Sequence, residues 1–119
     1  MKRNKHLPLT ETVYYILLSL FEPAHGYLII QKVEDLSNGE VRMAAGTLYG
    51  AIENLLKLKF IKPVDSEDKR RKVYVITQEG KNILLLDCER MKHIVAITEE
   101  NLTQEGVWIW KNLSSFLIL

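Results

Sequence analysis

A helix-periodic segment that runs straight into two short β-rich runs constrains this chain most. In residues 45–59, Leu48, Ile52, Leu55 and Leu56 recur at i, i+4, i+7 and i+8, one face of an α-helix. Residues 60–64 and 71–76 follow, both rich in β-branched and aromatic side chains. Between them, Asp65-Ser66-Glu67-Asp68-Lys69-Arg70-Arg71 reads as a charged hairpin tip. The order predicts a mainly α chain with a small β-hairpin, an α+β class.

Two more helices precede this segment and one follows it. Residues 9–21 read as a first helix with Thr10 as N-cap. Val13, Ile16, Leu17 and Leu20 make one apolar stripe, while Tyr14, Tyr15 and Leu18 lie on other faces. A helix apolar on several sides needs cover on several sides, which points to a partner chain or a cavity at Tyr15 and Leu18. Residues 26–36 read as a second helix with Ile29, Ile30, Val33 and Leu36 inward. Asn38 and Gly39 close it, since both accept the left-handed conformation. Thr77 is placed to cap a fourth helix over about 78–100, in which Leu84, Cys88, Met91, Val95 and Thr98 follow a 4-3-4-3 spacing. That heptad-like seam predicts dimerisation, against the alternative of a helix packed on its own domain. Residues 107–119 are apolar, include Trp108 and Trp110, and read as a short helix or docking tail.

Bulk properties narrow the class. At 119 residues the chain holds one domain and a little more, with a core small enough to make an oligomer plausible. The net charge is +1, but residues 1–76 hold 12 Lys/Arg against 9 Asp/Glu, and residues 77–119 hold 4 against 6. The basic front points to an anionic partner there. The single Cys88 excludes an intrachain disulfide and fits a reducing compartment. Glu11 ahead of the apolar run 13–21, and Pro23-Ala24-His25 after it, do not make an export leader. The run is also too short to span a membrane, so a cytoplasmic protein is expected. No Gly-rich phosphate loop, nucleophile with a paired base or convergent carboxylate pair is present, so no enzyme and no cofactor is expected.

The second and third helices match a helix-turn-helix and the hairpin supplies a wing. The expected division is a winged helix-turn-helix DNA-binding domain at 1–77, then a dimerisation helix and apolar tail at 78–119. With its apolar face buried, the third helix can enter a major groove. Gly46 and Gly50 on the opposite face let the backbone come close, and Thr47 can reach a phosphate or thymine methyl. Tyr49 can donate to a phosphate, Asn54 can read adenine, Glu53 can accept from cytosine, and Lys57 can meet a phosphate. At the wing, Lys69-Arg70-Arg71-Lys72 makes a cationic foot for the backbone or minor groove of double-stranded DNA. The alternative for each residue is a solvated surface.

His25-Gly26-Tyr27, Gly46-Thr47-Leu48-Tyr49, Leu55-Leu56 before Phe60-Ile61, and Tyr74-Val75-Ile76-Thr77-Gln78-Glu79-Gly80 together resemble the PadR-like transcription regulators over about residues 7–90. The resemblance implies a winged-helix DNA-binding domain, a homodimer through the C-terminal helix, and repression that a small hydrophobic or aromatic effector can relieve. It implies DNA contacts at Thr47 and Tyr49 and wing contacts at Lys69, Arg70 and Arg71. The chain departs from the family pattern at Ala44-Ala45, where many members have Ser and Pro, and at Gly50, where many have Pro.

Other readings compete. Tyr15, Trp108 and Trp110 could contact an effector, although aromatic residues beside an apolar tail are more often packing anchors. His6, His25, His93 and Cys88 match no zinc spacing, so no metal is expected. A winged helix can also serve as a protein-interaction module without DNA binding, but such a module has no need of four clustered cations on its wing. A small-molecule carrier would bind ligand without DNA.

Overall fold

The computed structural model describes residues 2–105; Trp108, Trp110 and the rest of the apolar tail lie outside them. The elements in chain order are α1 (Glu11–Ser19), β1 (Ala24–His25), α2 (Gly26–Leu36), α3 (Ala45–Lys57), β2 (Ile61–Val64), β3 (Val73–Ile76) and α4 (Gln78–Gln104). The chain divides at Asp87–Cys88, inside α4.

Several helix boundaries have a local cause. Thr10 Oγ1 accepts from the Val13 N–H at 3.1 Å and opens α1 at Glu11, two residues later than expected. His25 Nδ1 accepts from the Leu28 N–H at 3.4 Å and opens α2. Asn38 at φ 54 and Gly39 at φ 80 close α2, with the Gly39 N–H donating to the Glu34 carbonyl. At the end of α3, Lys59 takes φ 63; its N–H donates to the Leu56 carbonyl and that of Phe60 to the Leu55 carbonyl. This paired closure stops α3 at Lys57 rather than at the expected residue 59.

The sheet has three strands in the order β1-β3-β2, all antiparallel. Ile61 pairs with Ile76 and Val64 with Val73, while Ala24 pairs with Tyr74 on the other edge. The expected hairpin is therefore widened by β1. Ile16, Leu17, Leu20, Ile29, Val33, Leu48, Ile52 and Leu55 fill the centre of the core, and Ile61, Tyr74 and Ile76 roof it. Each large aliphatic side chain so buried contributes about 1.5–3 kcal/mol.

Leu36 corrects an expectation: it is 50% exposed, because it sits in the last turn of α2, past the edge of the core. Ile30 and Leu56 are only half-buried and pack against the core margin. Tyr15 and Leu18 are also half-buried and pack against their own chain's core.

Thr77 locks the sheet to α4. Its hydroxyl donates to the Lys59 carbonyl at 2.7 Å and accepts from the Gly80 N–H at 3.0 Å, and its own N–H donates to the Phe60 carbonyl. Ile83, Leu84 and Asp87 on the first turns of α4 are buried. Asp87 Oδ2 accepts from the Leu9 N–H at 3.3 Å, which fastens the N-terminal segment. Further along α4, Met91, Ile94, Val95 and Ile97 are exposed and Cys88 is half-buried.

Candidate nucleic-acid interface

Helix α3 turns Leu48, Ile52 and Leu55 into the core and leaves the opposite side open. Gly46, Thr47, Tyr49, Gly50, Glu53, Asn54 and Lys57 are all exposed. A Cβ placed on Gly46 or Gly50 would meet nothing within 4 Å. Internal packing therefore gives no reason for either glycine, although each costs an exposed helix about 1 kcal/mol relative to alanine. Glu53 and Lys57 are paired at 3.8 Å across one turn, which holds the carboxylate beside a cation. The start of α3 has no side-chain cap, since Ala44 stands at the N-cap position.

Tyr49 leans toward α2. Its hydroxyl packs over Gly26, and the ring stays 55% exposed. Beneath it Tyr74 is buried, and both burial and the neighbouring Tyr49 push the Tyr74 phenol above its ordinary pKa.

The wing is the eight-residue connection 65–72 between β2 and β3. Lys69, Arg70, Arg71 and Lys72 are exposed on it. Asp68 organises its turn. Its Oδ1 accepts from the Arg70 N–H at 3.0 Å, its carbonyl accepts from the Arg71 N–H at 3.0 Å, and its carboxylate lies 3.7 Å and 3.9 Å from the two guanidinium Nε atoms. A cleft of about 700 Å³ runs along the wing between Leu56, Pro63, Ser66, Lys69 and Lys72. A second, of about 390 Å³, joins the wing to Tyr49 and the start of α2.

The α3 residues and the wing cations thus remain available to a ligand. The residues expected to dimerise separate: Leu84 lies in its own chain's core, while Met91 and Val95 are exposed. His6 packs edge-on against Phe60, His25 caps α2 and His93 is exposed on α4, three different places. Sequence reasoning missed Tyr27, exposed beside the second cleft, and the approach of Arg71 Nη1 to His25 Nε2 at 3.4 Å. The two residues are 46 positions apart, so no local pattern links them.

The sequence matches the family model described as the transcriptional regulator PadR-like family over residues 13–85. Among solved structures, the chain is similar to a PadR family transcriptional regulator from Eggerthella lenta, at 26% identity over 76% of this chain and 80% of that one, with a TM-score of 0.59. It is similar to a transcriptional regulator from Clostridium thermocellum, at 23% identity over 76% and 90% of the two chains, TM-score 0.61. A mutant of MepR from S. aureus has the same fold at 19% identity, 95% and 81% coverage and a TM-score of 0.70. No curated protein matches the sequence.

Proposed function

We propose, from the premise that this chain belongs to the PadR-like family of transcriptional regulators, that it binds duplex DNA as a homodimer and represses transcription. The family is one of transcription regulators and not of enzymes. The observation that carries the DNA reading is the open face of α3, where two glycines that nothing inside the protein requires flank Thr47 and Tyr49. A helix stripped of side chains there can lie deep in a major groove. The wing cations beside it supply the phosphate attraction that such docking needs.

The dimer reading rests on α4. Its outer turns expose Met91, Ile94, Val95 and Ile97, at a spacing that suits a helix partner. A two-fold dimer suits a symmetric duplex site. Relief by a small hydrophobic effector rests on the family resemblance, and action in the cytoplasm on the single Cys88, which fits a reducing compartment. No helix among the described residues is long and apolar enough to cross a membrane.

The test is a titration of the protein into a fluorescent duplex from upstream of its own gene, beside a scrambled duplex, across a salt series. Preferred binding that weakens steeply with salt is expected. Replacing Lys69, Arg70 and Arg71 by Ala should flatten the plot of log K against log[salt] by up to about 0.9 per lost phosphate contact. A folded dimer that binds neither duplex at low salt would instead be a protein-interaction module.

A further inference from the structure

His25 Nε2 and Arg71 Nη1 approach each other to 3.4 Å where the wing meets the start of α2. The Leu28 N–H points at His25 Nδ1 at 3.4 Å, and as long as Nδ1 accepts it that nitrogen carries no proton. In the neutral ring the proton then sits on Nε2. Arg71 Nη1 lies 3.4 Å from that nitrogen, and a guanidinium is a donor only. Asp68 holds the Nε side of the same guanidinium at 3.9 Å, which leaves the Nη1 end directed at the ring. The free protein can meet only one demand at a time: with the proton on Nε2, α2 is capped and Arg71 faces a donor; with it on Nδ1, Arg71 is accepted and the cap is lost.

An oxyanion between the two satisfies both. It accepts from Nε2–H and from Nη1–H, and Nδ1 stays free to cap α2. The surrounding cleft of about 390 Å³ has the room, and its lining includes Arg70, Arg71 and Lys72 with no carboxylate. Tyr27 and Tyr49 line the same cleft. Tyr49 also belongs to the exposed side of α3, so an anion seated here lies on the side the helix offers to DNA. We propose that His25 and Arg71 form a seat for one phosphodiester of the DNA backbone, and that filling it fixes the His25 tautomer and ties the wing to α2. The proposal rests on the DNA-binding reading and adds a named phosphate contact to it.

His25→Asn separates the ring's two tasks. Asparagine is a good N-cap, so α2 keeps its start, but it lacks the far N–H. The variant should unfold at the wild-type temperature and bind the upstream duplex about tenfold more weakly, the loss of one charge-assisted hydrogen bond. The duplex should also be scanned with single neutral methylphosphonates. At one position per half-site, neutralisation should weaken wild type about a hundredfold and His25→Asn or Arg71→Ala only about tenfold, because each variant keeps one of the two donors. Undiminished binding by a folded His25→Asn protein, or equal sensitivity at every phosphate, overturns the seat while leaving the DNA reading intact. Binding of no duplex by wild type removes the DNA reading itself and the seat with it. Inorganic phosphate alone, titrated while the His25 ring is followed by ¹⁵N NMR, should not displace the duplex. Displacement at sub-millimolar phosphate would assign the cleft to a free phosphate compound and overturn the DNA assignment.

Discussion

The Tyr49 hydroxyl occupies the space over Gly26, 2.8 Å from where a Cβ on that glycine would stand. The obstructing atom is the far end of a flexible side chain, so the fold can yield while the hydroxyl cannot stay. Gly26→Ala should therefore keep stability within about 1 kcal/mol of wild type, with the helical gain offsetting the displaced ring. Its affinity for the upstream duplex should fall by about the amount that Tyr49→Phe loses. Equal denaturation midpoints with weakened anisotropy titrations would bear this out. An unchanged affinity would remove Tyr49 from the interface.

Gly80 is the opposite case. A Cβ there would overlap the Phe60 carbonyl oxygen and come within 2.6 Å of Ile76 Cγ1. Both belong to the packed junction of α3, β3 and α4, where backbone has no slack. Gly80→Ala should cost about 3 kcal/mol, read from urea unfolding at constant m-value. A loss below about 1 kcal/mol would mean that α4 can shift its first turn.

Much of this fold was legible because its boundaries are written locally. Residues 26–36 match α2, since Asn38 and Gly39 mark its close. Strand β1 was not legible, because Ala24 and His25 are too few to show alternation and become a strand only against Val73 and Tyr74. Leu84 shows a limit of spacing: a 4-3-4-3 pattern marks one helix face but not what covers it, and here its own chain's core takes Leu84. The α3 face and the wing cations could be read from residue types. The His25–Arg71 approach could not, because it exists only once the sheet sets the wing beside α2.

Both ends of α3 can be improved. Ala44 offers no side chain to cap the helix, and Lys59 holds a left-handed conformation that suits glycine. Ala44→Ser should add about 1 kcal/mol by accepting from a free N–H in the first turn. Lys59→Gly should add about 1 kcal/mol by relieving the left-handed backbone. Thermal unfolding of each variant and of the pair should show additive gains, as the sites are a helix length apart.

Tyr74 predicts an alkaline sensitivity. Burial first, and the nearby Tyr49 second, raise its pKa above the ordinary value of about 10. The folded state thus favours the neutral phenol more than the unfolded state does. That stabilisation is complete below about pH 10 and is lost as pH rises through the folded-state pKa. Tyr74→Phe should show a shallower fall in stability above pH 10 than wild type, measured by urea unfolding at stepped pH. Parallel curves would place the alkaline loss elsewhere.

Gly46 and Gly50 give the sharpest contrast between folding and function. Alanine meets nothing at either position, so each substitution should stabilise the free protein by about 1 kcal/mol. If α3 lies against DNA along this face, the same methyl groups intrude on the closest approach of backbone to the groove. Each variant should then melt at a higher temperature and bind the upstream duplex at least tenfold more weakly. The loss should appear at high and low salt alike, because no charge is removed and the counterion term is untouched. That distinguishes it from the wing variants, whose loss depends on salt. Higher stability with full affinity would mean that the groove meets α3 along another line, and the glycines would need a different explanation.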